Sequence, residues 1–301
     1  MPLSTLDDLL ETARELPCQH VAVAAAHDLE ALRSIDQAQK QGFITADLVG
    51  DAHRIEEIAE KNHLELRGVI IEDQTDDEMA AARVMALVRE NKANIVVKGQ
   101  IKTAAFLRAA LDRQHGIRDK TLLSHVGLFQ VGSLDRLFFM SDSGVVLDPT
   151  TEQKLIIIQN AIDVARKLGV ERPKVAILGA NAQVHPTRPI GVQALLLTRM
   201  AQEGWIEEAL IDGPLPLDAA LSASAAQAQG IDSPVAGQAD IVIVPNVQAG
   251  NIAAKAIQYI GHGEMAGLVV GARVPILINS RADDATTRLR SIAMATLVAD
   301  H

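Results

Sequence analysis

The sequence predicts an α/β protein made of two strand–helix series, and three observations carry this. Short apolar runs alternate with amphipathic stretches along most of the chain. Hydrophobic residues reach 48% while aromatics are only 2%, so the core is Ala, Val, Leu and Ile, which suits helices packed on a parallel sheet. The alternation breaks once, near residue 150, and then resumes. The expected division is 1–150, joined by the C-terminal helix 284–301, and 151–283. These form two lobes with a cleft between them.

The first series opens with the strand "VAVAAA" (Val21–Ala26), followed by the helix "LEALRSIDQAQKQG" stopped by Gly42. "ITADLVG", "LRGVII" and "ANIVVKG" are further strands. "DAHRIEEIAEKN" and "TDDEMAAARVMALVREN" are the helices between them, the second capped by a box of Thr75 and Glu78. "SHVGLFQV" and "RLFFMS" then read as a hairpin or sheet crossing. "DPTTEQKLIIIQNAIDVARKLG" is a long helix, with Asp148 near its cap and Gly169 at its end. The second series runs "KVAILGA", a helix near 192–203, "ALIDG", a helix near 217–229, "ADIVIVP", a helix near 252–260, "AGLVVGA" and "VPILIN". A last helix covers Asp284–Ala299.

Bulk properties exclude several classes. The formal net charge of −10 opposes nucleic acid and anionic membranes, so neither is expected as a partner. An anionic small ligand would need a locally cationic site. The single cysteine, Cys18, allows no internal disulfide and fits a cytoplasmic location. The acidic, amphipathic N-terminus is not a signal peptide, and no run is long enough for a membrane span. No His or Cys cluster indicates a metal.

Four stretches offer chemistry. In "VVKGQIKTAAFLRAAL" a strand ends at Lys98-Gly99, a helix starts near Thr103, and Lys98, Lys102 and Arg108 gather three cations at one turn. The alternative is a solvated basic turn with a capping threonine. "LIDGPLPLDAALS" ends a strand at Asp212-Gly213-Pro214 and is otherwise a turn with Asp218 as cap. In "ADIVIVPNVQAGNIAAKAI" a buried strand ends at Pro245-Asn246. Gly250-Asn251 then open a helix whose amides suit phosphate, with Lys255 one turn in. "PILINSRADD" delivers Ser280 and Arg281 from a core strand beside Asp283 and Asp284. Arg281 either pairs with one of those acids or awaits an anion, and one acid caps the last helix.

In order and spacing these stretches resemble the phosphate acetyl/butyryltransferase family, most closely its butyryltransferase branch. The residues that carry the resemblance are Lys98-Gly99…Thr103…Leu107-Arg108, Leu123-Ser124-His125-Val126, and Pro173-Lys174-Val175-Ala176-Ile177-Leu178. Asp212 to Ser222, Ala239-Asp240 to Pro245, Gly250-Asn251…Lys255, and Ser280-Arg281-Ala282-Asp283 complete it. The resemblance implies a fold like that of isocitrate and isopropylmalate dehydrogenases, a homodimer, and the reaction acyl-CoA plus phosphate to acyl phosphate plus CoA. By the same resemblance, butyryl or another short chain would be the acyl group. It implies an active site in the interdomain cleft, with Ser280, Arg281 and Arg108 catalytic and Asp283 the nearest candidate base. Lys98, Gly99, Thr103, Asn246, Gly250, Asn251 and Lys255 would bind phosphate or CoA. Coenzyme A is a substrate, and no cofactor is expected. Two loops depart from the family pattern: Ser141 to Pro149, and Ala180 to Pro186, where Ala182 and His185 replace a glutamate and an asparagine. They motivate an alternative, a diverged non-catalytic member that binds acyl-CoA or phosphate. A dehydrogenase of the same fold would need clustered metal-binding aspartates, which the sequence lacks.

Overall fold

A computed structural model describes residues 3–280 and 282–299. Two compact units emerge, divided between Thr121 and Leu122 and between Met265 and Ala266. We call Leu6–Thr121 with the chain from Ala266 on the terminal unit, and Leu122–Met265 with the first residues the central unit. The expected boundary at residue 150 moves because the 124–141 hairpin pairs with later strands of the central unit.

The terminal unit begins with α1 (Asp7–Glu15), β1 (Gln19–Ala24), α2 (Leu29–Lys40), β2 (Ile44–Gly50) and α3 (Ala52–Lys61). β3 (Ile70–Asp73), α4 (Asp77–Arg89), β4 (Ile95–Lys98) and α5 (Thr103–Leu111) follow. β1 and β2 are buried on both faces, as strands sandwiched between helices must be. The cap of α4 differs from expectation. Asp76, not Thr75, accepts the Met79 amide at 2.9 Å, and its negative charge also suits the helix dipole.

The central unit contains β5 (Ser124–Gln130) and β6 (Phe138–Ser141), an antiparallel hairpin as expected. Then come α6 (Thr151–Lys167), β7 (Lys174–Leu178), α7 (Pro189–Gln202) and β8 (Leu210–Leu215). Asp148 does not cap α6; Thr150 and Gln153 form a full capping box two residues on. The single helix expected near 217–229 is two, α8 (Leu217–Leu221) and α9 (Ala223–Ala228), because the Ser222 hydroxyl caps a new start. β9 (Ile241–Ile243) and α10 (Val247–Tyr259) complete the unit. Its sheet order is β5-β6-β9-β7-β8, with β6, β9, β7 and β8 parallel. Phe129 and Phe138 stack at 5.5 Å in its core.

The chain returns to the terminal unit along β10 (Glu264–Val270), then β11 (Ile276–Leu277) and α11 (Ala285–Ala299). The terminal sheet order is β3-β2-β1-β4-β11-β10. β11 runs parallel to β4, with Ile276 opposite Val96 and Leu277 opposite Val97, and β10 antiparallel to β11. α11 is buried along nearly its whole length and packs on α1 and α2. Among the described residues, no helix is long and apolar enough to cross a membrane.

One buried charge on α6 marks a local cost. Lys154 is only 2% exposed, and burial pulls its pKa from 10.5 down to about 8. Below pH 8 the amine is charged in both states and its full burial cost stands. Between pH 8 and 10.5 the unfolded chain keeps the proton that the folded chain has released, so stability rises with pH. Lys154→Met is therefore expected to raise stability near pH 7 by about 3 kcal/mol. Urea melts of both proteins should show that gain fading from pH 8 to 10.5.

Candidate functional site

In the terminal unit, neighbouring parallel strands bring two of the sequence motifs to one end of a sheet. β4 ends in Lys98-Gly99, and β11 leads to Ser280. Ligands of open α/β sheets gather beyond the carboxyl ends of strands, and both motifs leave there. Gly99 permits a close approach: a Cβ there would lie 2.2 Å from the Ala25 carbonyl oxygen. Its amide donates to Ala24 and that of Gln100 to Ala25, both at 2.8 Å. Lys98 folds back on the turn and donates to the carbonyls of Gly99 at 3.0 Å and Ile101 at 2.9 Å. Its charge is present at the turn, but these N–H groups brace backbone.

The capping threonine of the alternative reading is not found. Lys102 is the N-cap of α5, without a side-chain cap bond, and Thr103 is the exposed first residue. Arg108 is exposed in the last turn of α5. Arg281 lies outside the described residues.

The two acids beside Ser280 have separate tasks. Asp283 accepts the Ser280 amide at 2.8 Å and returns its own amide to the Ser280 carbonyl at 3.1 Å, closing a tight turn. Asp284 accepts the Thr287 amide at 2.8 Å, which caps the start of α11. The residue that sequence reasoning missed is Arg288, 6% exposed on α11. It donates to the Ser280 carbonyl at 3.3 Å, the Asp283 carbonyl at 3.3 Å and the Asp28 carboxylate at 2.9 Å. Asp28 also caps α2 through the Ala31 amide at 2.8 Å. A guanidinium fork has the planar reach for such a set, and a lysine does not. The only signal in the sequence was a pair of arginines, Arg288 and Arg290, at the start of an otherwise largely apolar helix.

The central unit holds a second set. A cavity of about 550 Å³ is lined by Asp148 and Pro149, by Pro186, by Ile190 and Leu196 of α7, and by Asn246, among others. These segments follow the carboxyl ends of β6, β7 and β9, three strands of one parallel group. The two loops that depart from the family pattern thus border the same cavity. The lining is mostly apolar. Ile190 and Leu196 are 45% and 47% exposed, a surplus of apolar surface beyond the buried stripe of α7.

The loop after β6 is held firmly. Asp142, buried, accepts the amides of Gly144 at 2.8 Å, Val145 at 2.9 Å and Val146 at 3.1 Å. His125 Nδ1 meets the Ser143 hydroxyl at 3.1 Å, and Ser141 donates to the His125 carbonyl at 2.7 Å. The expected helix start at Gly250-Asn251 is corrected. Asn246 is the N-cap, accepting the Ala249 amide at 3.0 Å, and α10 already runs from Val247. The Gly250 amide donates within the helix to Asn246 at 3.1 Å, so it is no open cradle. Gly250 is needed for contact instead: a Cβ would come within 2.9 Å of Ser143 Cα and 3.0 Å of the Asp142 carbonyl oxygen. Asn251 is exposed. Lys255 donates to Gln258 at 3.1 Å and lies 5.6 Å from the Tyr259 ring centre. Asn246 therefore reaches the cavity, whereas Gly250, Asn251 and Lys255 do not line it.

Comparison with known proteins identifies the lineage. Residues 79–296 match the family model described as phosphate acetyl/butaryl transferase. The chain belongs to the phosphate acetyl/butyryltransferase family. It is 39% identical to phosphate butyryltransferase of Clostridium beijerinckii, over 97% of both chains. It is 37% identical to phosphate acetyltransferase of Rhizobium meliloti, covering 98% of this chain and 94% of that one. The crystal structure of a branched-chain phosphotransacylase from Enterococcus faecalis V583 superposes with a TM-score of 0.83 at 28% identity, covering 94% of this chain and 99% of that one. Family membership is thus shown over nearly the whole chain, including the N-terminal region where motifs were not legible.

The Arg288 set gives a direct expectation. Arg288→Ala strands the Asp28 carboxylate and two carbonyls, and should lower stability by about 3 kcal/mol. Arg288→Lys should recover only part of that. Denaturant melts of the three proteins measure both.

Proposed function

We propose that the protein is a phosphate acyltransferase that converts a short-chain acyl-CoA and phosphate to acyl phosphate and CoA. The observation that carries this reading is the delivery of Lys98-Gly99 and Ser280 to one sheet end by adjacent strands, in a chain of this family. A phosphate oxygen attacks the thioester carbonyl carbon. The C–O bond forms, the carbonyl oxygen becomes an oxyanion, and its collapse breaks the C–S bond. The CoA thiolate leaves and takes up a proton. In the reverse direction a base must remove that proton, because a thiol of pKa ~8.5 is mostly protonated at neutral pH.

In our reading Arg281 and Arg108 hold phosphate and offset the charge of the transition state. The Ser280 hydroxyl donates to the oxyanion. Lys98 adds positive charge through the turn that it braces, and Gly99 keeps backbone close enough for that turn to form. Thr103 opens a helix without a side-chain cap, which leaves amides for an anion. Asp283 is the candidate base, and its grip on the Ser280 amide fixes the carboxylate beside the serine. The apolar cavity near Asn246 takes the acyl or pantetheine portion of the thioester. Asn251 and Lys255 serve CoA only from the exposed face of α10. We also carry forward the isocitrate and isopropylmalate dehydrogenase type of fold, homodimerisation, a cytoplasmic location and independence from a cofactor. Family membership supports these.

Purified protein given butyryl-CoA or acetyl-CoA with phosphate should release free thiol. Arg281→Ala is expected to lower kcat/KM by about 10²–10⁴, and Ser280→Ala by about 10²–10³. Failure of every acyl-CoA to support thiol release, or an intact rate in Arg281→Ala, refutes the reading. Asp283→Asn should remove the acidic limb of the pH–rate profile for CoA acylation. Leu196→Trp, which fills the cavity, should raise KM for butyryl-CoA by about tenfold and that for acetyl-CoA less. Equal effects on both substrates would move the acyl chain elsewhere.

A further inference from the structure

The terminal unit contains another cavity, of about 420 Å³, whose lining includes Arg89, Arg113, Arg118 and Arg273 with Asp112 and Asp119. It lies at the end of the sheet opposite Ser280. Arg89 precedes β4 and Arg273 precedes β11, and these strands run parallel, so both arginines lie at amino ends. Lys98 and Ser280 leave at the carboxyl ends, roughly 10 Å further along at about 3.3 Å per residue. The backbone fixes the arginine-bearing segments. The Arg273 amide donates to the Ile117 carbonyl at 2.9 Å, the Lys120 amide to Gly271 at 2.9 Å, and Arg118 forms an antiparallel bridge with Ala272.

Four guanidinium groups against two carboxylates leave a formal excess of two positive charges, in a chain whose net charge is −10. The carboxylates do not quench them. Asp112 accepts the amides of Gln114 at 2.9 Å and His115 at 2.7 Å, and those bonds hold its carboxyl below the usual range. Among the described residues, none of the four arginines forms an ion pair. Arg89 Nη1 is buried with no hydrogen-bond partner there. Arg113, Arg118 and Arg273 are exposed, so water screens their repulsion, but the buried Arg89 Nη1 lacks a partner that an anion could supply. Guanidinium forks match the paired oxygens of phosphate. The volume falls in the range of small-molecule sites, about 300–1,000 Å³, and exceeds the need of one phosphate ion.

We propose that this cavity is a second anion site, separate from the Ser280 group, that binds a small molecule carrying two or more phosphate groups. The proposal is independent of the acyl-transfer reading. Inorganic pyrophosphate is the probe. Titration calorimetry at low salt should show saturable binding to the full chain and to Arg281→Ala. The double variant Arg113→Gln with Arg273→Gln should weaken that binding at least about tenfold, while its thermal melt stays within a few degrees of the parent. Absent binding, binding unchanged in the double variant, or binding abolished by Arg281→Ala overturns the proposal. Should the double variant fail to fold, a crystal soaked in selenate decides: an anomalous peak against Arg113 and Arg273 supports the site, and no peak there overturns it.

Discussion

Arg288 holds one guanidinium against the Asp28 carboxylate and the carbonyls of Ser280 and Asp283, and it does so almost out of contact with water. An arginine in that position is stable only while every partner stays in place. The constraint therefore acts in both directions. It ties the cap of α2 to the turn that follows β11, and it sets where the Ser280 hydroxyl can be. Asp283 and Asp284 complete the same device, one closing the turn and the other starting the helix that carries Arg288. The serine is thus placed by a network of fixed charges, and α11, buried over most of its length, gives that network a rigid base.

The central unit solves a different problem by different means. Its cavity is bordered by loops, and loops need fasteners. Asp142 supplies one by collecting three successive amides. Gly250 supplies another by letting α10 come into contact with that loop at a distance that no side chain allows. The two loops that set this chain apart from the family pattern both reach this cavity, and the one after β6 is fastened in this way. Ala182 and His185 themselves stand outside the cavity lining, to which these loops contribute Asp148, Pro149 and Pro186.

Much of the architecture was legible because buried strands and amphipathic helices write their periods directly into sequence. The 124–141 hairpin stood out because it lacked a helix between two apolar runs. Caps were less legible. Thr75, Asp76 and Asp77 all have the right chemistry, and only the path of the backbone selects Asp76. The start of α10 was misplaced because Gly250 was read as opening a phosphate-binding helix start, whereas it is a contact residue inside the helix. Ser280 and Lys98 could be found from strand ends and family spacing. Arg288 could not, since its charged partner Asp28 is far away in the chain and becomes a neighbour only through the fold. The apolar cavity was hidden for the same reason: Pro149, Pro186 and Asn246 converge from three separate strands.

The order of strands in the terminal unit also bears on how the protein is made. β11 is hydrogen-bonded between β4 and β10, yet it is synthesised after the whole central unit. Until it arrives, β4 offers an open row of backbone donors and acceptors, and the hydrophobic faces that α11 covers stay wet. A nascent chain is therefore held in waiting, with the central unit free to form as an uninterrupted segment while the terminal unit remains open. Ser280, Asp283, Asp284 and Arg288 all leave the ribosome after the central unit. A chain cut short before β11 lacks both the serine and the strand that seals the sheet, so chemistry and quality control are vested in the same closing segment.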